Sequence, residues 1–375
     1  MTLLINLCVI CTAIMLLLQY FAVPLEHPNR ISGSKYRYSA GLVIIFFLVI
    51  TFISAFRYGF CDTGVYRKIC GEMGTDYNRL NDEDLAFGDT GFNALMIFLN
   101  RMGFEPQSII VVCAIVTFAV YLFILYRYSC DLPFSLFLLL FISYFGMING
   151  IRQVLAGAIM FAAFPLLLKK QHILFLPFVW LAYTIHASAL VMLPLCFIVT
   201  GKRMNMGMWG FLGAISLFFV APSLAGSLLG KLLEDSSYQG YLDNTLSMGI
   251  IRLIIAIVPL LLAFFYSLSH PWERHLEPGS PEYIQQRLSD VLINMLIVSF
   301  GFTALGLRMV YFARISMYFD GAFLLFLPMA INKAFNVRSS KIIKLVAQVL
   351  YFIYFLYQTY TFSTYGYFND FRLVL

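Results

Sequence analysis

Residues 132–168 have the sequence LPFSLFLLLFISYFGMINGIRQVLAGAIMFAAFPLLL, two apolar runs separated by the polar stretch NGIRQ at residues 149–153. An arginine and two amide side chains stand where lipid hydrocarbon would otherwise be expected. A charged side chain at the centre of a bilayer costs about 2.5 to 3.5 kcal/mol on insertion scales, so such residues usually face protein or a wet cavity on a substrate path. Arg152 is therefore the first candidate site residue.

The composition indicates that the whole chain belongs to a membrane. Of its 375 residues, 61% are hydrophobic and only 12% are charged, and the mean hydropathy is +0.83. This balance excludes an ordinary soluble domain. We predict one all-α domain over residues 1–375, a polytopic bundle of transmembrane helices.

Hydrophobic stretches predict about twelve spans, because roughly 20 apolar residues are needed to cross the hydrocarbon core. They cover residues 3–24, 38–56, 107–126, 132–148, 151–168, 171–185, 187–200, 207–226, 248–268, 288–307, 312–332 and 342–362. Several are short. Those within 132–168 and 171–200 also suit broken or re-entrant helices, which are allowed only where protein or water covers the backbone.

Lysine and arginine set the predicted orientation, since they concentrate in cytoplasmic loops. In alternate loops they form clusters at Arg30, Lys35 and Arg37; Arg127; Lys169 and Lys170; Lys202 and Arg203; Arg274 and Arg287; and Lys333, Arg338, Lys341 and Lys344. If that side is cytoplasmic, both chain termini lie outside. The outer face then also receives residues 57–105, the break at Arg152, the turn near His186 and the connections 231–244 and 308–314.

The longest outer connection, residues 57–106, combines acidic residues with an apolar stripe. The acids are Asp62, Glu72, Asp76, Asp82, Glu83, Asp84, Asp89 and Glu105, and the stripe consists of Phe92, Leu95, Met96, Leu99 and Met102. The spacing of the stripe predicts a helix. That helix either lies in the membrane interface or caps the bundle as an ordinary packed helix.

Four motifs follow one another along the chain: RYGFCD at 57–62, NGIRQVLA at 149–156, HASA at 186–189 and RISMYF at 314–319. With them the chain resembles, over nearly its whole length, the EpsG family of Wzy-type exopolysaccharide polymerases. The family usually has Arg-x-x-x-Gly-x-Asp followed by a tyrosine near the first motif. Here Gly59 precedes Asp62 by three positions, and GTDY follows at 74–77. Either Asp62 or Asp76 matches the family's aspartate.

The resemblance implies a glycosyltransferase that moves a growing glycan from a polyprenyl diphosphate carrier to the non-reducing-end sugar of another carrier-linked repeat unit. It also implies a location in a bacterial cytoplasmic membrane with the active face outward. The implied partners are the polyprenyl-diphosphate-linked oligosaccharide, the lipid bilayer, a chain-length regulator and a flippase. The chain shows no nucleic-acid motif and no metal-ligand spacing, and we expect no cofactor.

Such a reaction displaces a diphosphate, which leaves readily and is strongly anionic, so the site needs fixed cations more than a proton donor. Guanidinium groups offer phosphate oxygens a planar fork of donors. Arg57, Arg152, Arg308 and Arg314 supply such cations from separated stretches. Each also has a structural interpretation: Arg57 as a snorkelling residue at a span's end, and Arg152 in satisfying the carbonyls of a broken helix or pairing with an acid. Arg308 and Arg314 are six residues apart and do not share a face of a regular helix, so one of them is structural unless the connection is unwound, and Arg314 also suits a network with Asp320.

The attacking sugar hydroxyl must lose a proton, and His186 is the predicted general base, since histidine is mostly neutral and able to accept a proton at neutral pH. The alternatives for His186 are substrate binding and a structural hydrogen bond between helices. Asp62 and Asp76 are rival bases.

Asn149, Gln153, Ser188 and Tyr318 complete the candidate substrate-binding set. Asn149 and Gln153 suit sugar hydroxyls, but they equally suit capping of the helix that starts near Gly150. That helix would aim its positive dipole end at the outer cavity and favour an anionic ligand.

Three other functions stay open from the sequence. A flippase or transporter of lipid-linked oligosaccharide would also place arginines in a central cavity, although internal repeat symmetry is expected for it and none is found. A glycosyltransferase that uses a polyprenyl monophosphate sugar would suit the acidic first outer connection, but such enzymes usually carry a large outer domain, and none is found here. A membrane acyltransferase would use His186 but leave the arginines unexplained.

Overall fold

A computed structural model describes residues 1–81, 89–221, 250–273 and 275–374 of the chain. Helices make up 76% of the structure, and the strands of the described part are limited to β1 (Val23–Pro24) and β2 (Tyr36–Arg37), which pair antiparallel. Among these residues six helices are long and apolar enough to cross a membrane, and six shorter apolar helices accompany them. The predicted all-helical membrane class is confirmed. The total of about twelve spans stays a prediction.

The helices have the following bounds: α1 Thr2–Tyr20, α2 Ala40–Ala55, α3 Thr63–Met73, α4 Thr90–Arg101, α5 Ser108–Tyr128, α6 Leu132–Met147, α7 Ile151–Ala162, α8 Phe164–Leu168, α9 His172–Ile185, α10 Met192–Val199, α11 Met206–Val220, α12 Ile250–Ser269, α13 Pro281–Leu305, α14 Val310–Ile315, α15 Asp320–Ala334 and α16 Val337–Thr364. Short 3-10 turns occupy Tyr77–Asn81, Ala187–Val191 and Ser316–Phe319.

The interior of the bundle is formed by α5, α13 and the span that contains α15, whose most apolar stretches are 56%, 83% and 67% buried against the rest of the protein. Helix α5 packs against α2 and α7, and α13 packs against α12 and α15. The corresponding stretches of α12 and α16 are only 17% and 22% buried. Their exposed apolar faces suit contact with lipid.

Polar contacts gather at two opposite ends of the bundle. At one end Asp131 pairs with Lys344, Arg203 Nε lies 2.7 Å from Asp290 Oδ1, and Arg287 donates to the carbonyl of Thr200. This end holds the basic residues whose loops are predicted to be cytoplasmic.

The other end brings the carboxyl terminus beside the end of α2. The Tyr58 N–H donates to the Arg372 carbonyl over 2.6 Å, and the Val374 N–H donates to the Phe56 carbonyl over 2.7 Å. The end of the chain therefore lies at the same end of the bundle as Arg57, which agrees with their predicted placement on one face. Which membrane face each end meets stays a prediction, and the predicted connection 231–244 and Arg274 lie outside the described residues.

The apolar stripe of residues 92–102 belongs mainly to α4, which packs against α3, α5 and α9. Phe92 and Met96 are fully buried and Leu99 is 5% exposed, whereas Met102 beyond the helix is 60% exposed. This burial favours the interpretation of α4 as a helix that caps the bundle. The acids at 82–84 lie outside the described residues.

Candidate functional site

The polar break at residues 149–153 forms a sharp turn between α6 and α7. Gly150 takes the left-handed conformation, with φ +58°, which a residue with a Cβ adopts at a cost of about 1 to 2 kcal/mol. Helix α7 then begins at Ile151, and Arg152 falls in its first turn. A cation there opposes the helix dipole by roughly 0.3 to 1 kcal/mol, so an anion is needed nearby.

Asp89 supplies that anion. It directly precedes α4, is 6% exposed, and accepts the Arg152 Nη1–H over 2.6 Å at its Oδ2 atom. The same oxygen lies 3.1 Å from His186 Nδ1, and its Oδ1 atom accepts the backbone N–H of Ala187 over 3.1 Å. One carboxylate therefore joins three elements that are far apart in sequence.

His186 lies in the extended linker between α9 and the following 3-10 turn, with φ −157° and ψ 116°. An ionised carboxylate can only accept hydrogen bonds, so the contact with Asp89 assigns the proton of a neutral imidazole to Nδ1. Nε2 then carries the lone pair. A carboxylate that fixes a histidine in this tautomer is the arrangement that prepares imidazole as a general base.

A close backbone approach holds Asp89 against His186. Gly91 in the first turn of α4 packs on Thr184 near the end of α9, and a Cβ at Gly91 would lie 2.7 Å from Thr184 Cβ and 2.9 Å from its carbonyl oxygen. Real Cβ atoms essentially never come this close. Glycine at 91 therefore sets the spacing between the carboxylate and the imidazole.

Tyr66 of α3 completes the surroundings of Arg152. The phenol is 5% exposed, its oxygen accepts a hydrogen bond from the guanidinium, and its ring packs edge-on against Phe92. Burial raises the pKa of the Tyr66 phenol, and the cation of Arg152 offsets this only in part. Tyr66 therefore stays neutral and helps to orient Arg152.

A second set of contacts joins two of the 3-10 turns to each other and α7 to α14. Ser188 Oγ and the Tyr318 hydroxyl lie 2.9 Å apart, and Gln153 Nε2 donates to the backbone carbonyl of Arg314 over 2.7 Å. The structure thus brings Arg152, Gln153, His186, Ser188 and Tyr318 to one end of the bundle. Gln153 there contacts the Arg314 backbone.

One interpretation of the sequence was that Asn149 caps α7, and the structure does not bear this out. The helix is preceded by Gly150, without a capping hydrogen bond from a side chain. Asn149 Oδ1 is instead buried without a hydrogen-bond partner among the described protein groups. An acceptor in this state suits a donor from a ligand.

A match over most of the chain assigns the family. The model of the EpsG family matches residues 41–371, a range that contains all four motifs. The chain belongs to the EpsG family. This is a Wzy-type polymerase-like family, so the resemblance drawn from the motifs is confirmed and the protein is an exopolysaccharide-polymerase-like membrane protein. Comparisons with curated proteins and with solved structures give no significant match.

Arg57, in the first EpsG motif, is enclosed by protein. It is 1% exposed, and its guanidinium donates to Thr63 Oγ1 over 3.0 Å, to the Ile148 carbonyl over 2.8 Å and to the Ser54 carbonyl. It therefore does not snorkel. It joins the end of α2, the start of α3 and the break before α7, which is a structural role next to the site.

Asp89, Arg152, His186 and Tyr66 together form the Asp89 cluster. The remaining predicted site residues of this EpsG member make no described side-chain hydrogen bond to it. Asp62 and Asp76 are exposed, and the carboxylate of Asp76 accepts the backbone N–H of Asn78 in a local turn. Arg308 and Arg314 are also exposed, and their guanidinium groups lie 5.9 Å from the Phe219 ring and 5.5 Å from the Tyr311 ring.

Sequence reasoning missed the two residues that hold Arg152. Asp89 stood only as one acid among eight in the outer connection, and Tyr66 as one of many tyrosines. One signal was present, because Asp89 immediately precedes the apolar stripe of α4, where aspartate is favoured at a helix start. Its contacts with residues 63 and 97 positions away are long-range, so no local pattern shows them.

Proposed function

We propose that this EpsG protein is a membrane polysaccharide polymerase. It transfers a glycan from a polyprenyl diphosphate carrier to the non-reducing-end sugar of another carrier-linked repeat unit, without a metal. The observation that carries the proposal is the carboxylate of Asp89 held between His186 and Arg152, at 3.1 Å and 2.6 Å. It unites a prepared base with a fixed cation, which are the two groups that this reaction requires.

His186 activates the acceptor. Its Nε2 lone pair takes the proton of the acceptor sugar hydroxyl as the oxygen attacks the anomeric carbon of the donor glycan. Asp89 accepts from Nδ1 and stabilises the imidazolium that forms. A positioned base of this kind contributes about 10²- to 10⁴-fold to the rate.

Arg152 and the amino end of α7 stabilise the leaving group. As the new glycosidic bond forms, the bond between the anomeric carbon and the diphosphate oxygen breaks, and its electron pair stays on the carrier diphosphate. In the proposed complex the guanidinium and the positive end of the helix dipole face this growing charge, since Arg152 lies in the first turn of α7. The imidazolium later gives its proton to solvent or to the released diphosphate.

The proposed setting is the outer face of a bacterial cytoplasmic membrane. The carrier-linked oligosaccharide arrives there through the bilayer from a flippase, and a chain-length regulator is the expected protein partner. The convergence of residues from α3, α4, α7 and the linker after α9 at the end opposite the basic clusters supports this orientation.

The competing functions are transport of the lipid-linked oligosaccharide and transfer of another lipid-linked sugar. A carboxylate that fixes the tautomer of a histidine is the arrangement found around a catalytic general base, so the geometry favours transfer. The two transferase functions differ in their product, and the genetic test separates them.

The test is deletion of the gene followed by polysaccharide gels. A polymerase deletion leaves single repeat units in place of long chains, whereas loss of the repeat unit itself would indicate an earlier biosynthetic step. Complementation with Arg152→Ala should give no polymer, and Arg152→Lys should rescue poorly because the planar fork is lost. Arg338→Ala, at an exposed arginine in the first turn of α16, is the matched control. Long chains from Arg152→Ala would remove Arg152 from the site.

A further inference from the structure

A second concave surface lies on the other side of α3 from the Asp89 cluster. It is an open cleft of about 720 Å³ between α3, the start of α5 and the carboxyl-terminal segment, with Tyr58, Arg67, Glu105 and Val374 among its lining residues. This volume falls in the range of roughly 300 to 1,000 Å³ that ligand sites occupy. The mechanism described above does not use it.

The helix face that lines the cleft is shaped by a glycine. Gly64, Arg67, Lys68 and Gly71 share one face of α3 and all line the cleft. Glycine destabilises a helix relative to alanine. Packing explains Gly71, whose added Cβ would lie 3.3 Å from Pro106, but a Cβ at Gly64 would meet nothing within 4 Å. The missing side chain at Gly64 therefore keeps the cleft open without serving the packing of the protein.

The chemistry of the lining suits a neutral polyhydroxyl ligand. Its four charged residues are two bases and two acids, Arg67 and Lys68 with Glu72 and Glu105, so their charges cancel. Donors and acceptors alternate with apolar surface from Pro106, Val374 and Tyr58. The Tyr58 ring is held by two guanidinium groups, those of Arg67 at 4.2 Å and Arg372 at 4.7 Å from its centroid. A sugar presents the same mixture of hydroxyl groups and apolar ring faces.

Two pairs of consecutive residues show that the cleft is adjacent to the Asp89 cluster. Tyr66 turns inward to Arg152, and Arg67, the next residue, lines the cleft. Arg57 is buried against Ile148 beside the same cluster, and Tyr58 lines the cleft. The width of α3, about 10 Å, thus separates the two surfaces, a separation that an extended glycan can span.

We propose that this cleft binds a neutral oligosaccharide segment of the growing polymer, some sugars away from the unit that reacts. This inference rests on the proposed polymerase function. A glycan held here stays near the Asp89 cluster between additions, so the cleft should increase the length of the product more than the rate of a single addition.

The test measures binding and chain length separately. The probe is a set of fragments of two or three repeat units, released by partial hydrolysis from the polymer of the parent cells. Binding to the purified full-length protein in detergent is measured by calorimetry. We expect Gly64→Phe, whose ring fills the cleft, to weaken binding by about tenfold or more and to shorten the polymer. Gly210→Phe, at a glycine of α11 that also has open space, should bind as the parent protein does.

A second variant guards against misfolding. Arg67→Ala removes a donor and one of the two cations beside Tyr58, and it should also weaken binding and shorten chains at an unchanged melting temperature. His186→Gln should bind the fragments normally, because it lies in the other site. Equal binding by Gly64→Phe and the parent protein, or no binding by the parent protein, would overturn the cleft proposal. Failure of the polymerase function itself would show differently, as long polymer in the deletion strain.

Discussion

Replacing Asp89 by asparagine tests the Asp89 cluster most sharply, because the two side chains have the same shape. The carboxylate accepts three hydrogen bonds: from Arg152 and, in the assigned tautomer, His186 at Oδ2, and from the Ala187 N–H at Oδ1. Asparagine has one accepting oxygen and one donating NH2. In either amide orientation, therefore, a donor faces at least one donor.

The magnitude follows from those contacts. A hydrogen bond to a charged group contributes roughly 1.5 to 3 kcal/mol, and each 1.36 kcal/mol is tenfold in rate. Losing the bond to Arg152 alone should therefore cost about 10- to 100-fold. If the NH2 faces His186 Nδ1, the imidazole proton moves to Nε2 and the base is lost, which costs roughly 10⁴-fold in a comparable aspartate–histidine pair. We expect a loss of about 10² to 10⁴ in kcat.

The assay is the initial rate of repeat-unit joining by the purified protein in proteoliposomes, with the melting temperature measured in parallel. Asp89→Glu, which keeps the charge, should recover part of the activity. Because Asp89 acts largely through His186, the variant carrying both Asp89→Asn and His186→Gln should be little worse than His186→Gln alone. The coupling of Asp89 to His186 would be refuted by a rate for Asp89→Asn close to that of the parent protein. It would also be refuted if the rate losses of the two single variants were fully additive in the double variant.

Two further variants probe how the cluster is held. Gly91→Ala should lower the joining rate by about 100-fold, because a misplacement of about 1 Å can cost this much. The added Cβ would lie 2.9 Å from the Thr184 carbonyl oxygen and must push the Asp89 carboxylate away from the His186 imidazole. Gly210→Ala is the control, and an unchanged rate for Gly91→Ala would mean that the close contact is not needed. Arg57→Met removes the donor to three acceptors, and each acceptor left buried without a partner lowers the free energy of unfolding by about 1 to 3 kcal/mol. The melting temperature should therefore fall strongly. A normal melting temperature with lost activity would instead place Arg57 in the site.

Local patterns were enough to predict most of the apolar helices and the breaks at residues 149–153 and near His186, but not α3. Hydrophobicity along the chain is a local property, so the predicted span 132–148 corresponds to helix Leu132–Met147, and 171–185 to His172–Ile185. Polar residues inside apolar runs are costly, which is why Arg152 and His186 stood out. These two polar breaks therefore indicated the correct end of the bundle. The structure brings five of the predicted residues together there, namely Arg152, Gln153, His186, Ser188 and Tyr318.

Tertiary contacts decided what the sequence left open. The role of Arg57 depends on the Ile148 carbonyl, 91 residues away, so a span-end arginine that suits snorkelling is in fact buried. Asp89 could not be separated from the exposed acids Asp62 and Asp76, because its burial against α7 and α9 arises only when the bundle assembles. The left-handed turn at Gly150 likewise placed the cap of α7 at Gly150, one residue beyond the expected cap at Asn149.

The most direct measurement is transfer by the purified protein in proteoliposomes supplied with only the carrier-linked repeat unit. The parent protein should join repeat units into longer chains and release one carrier diphosphate for each bond formed, and His186→Gln should bind the substrate but form almost no bonds. Normal joining by His186→Gln, or movement of the lipid across the bilayer by the parent protein without any bond formed, would contradict a histidine and an arginine acting together on a departing diphosphate.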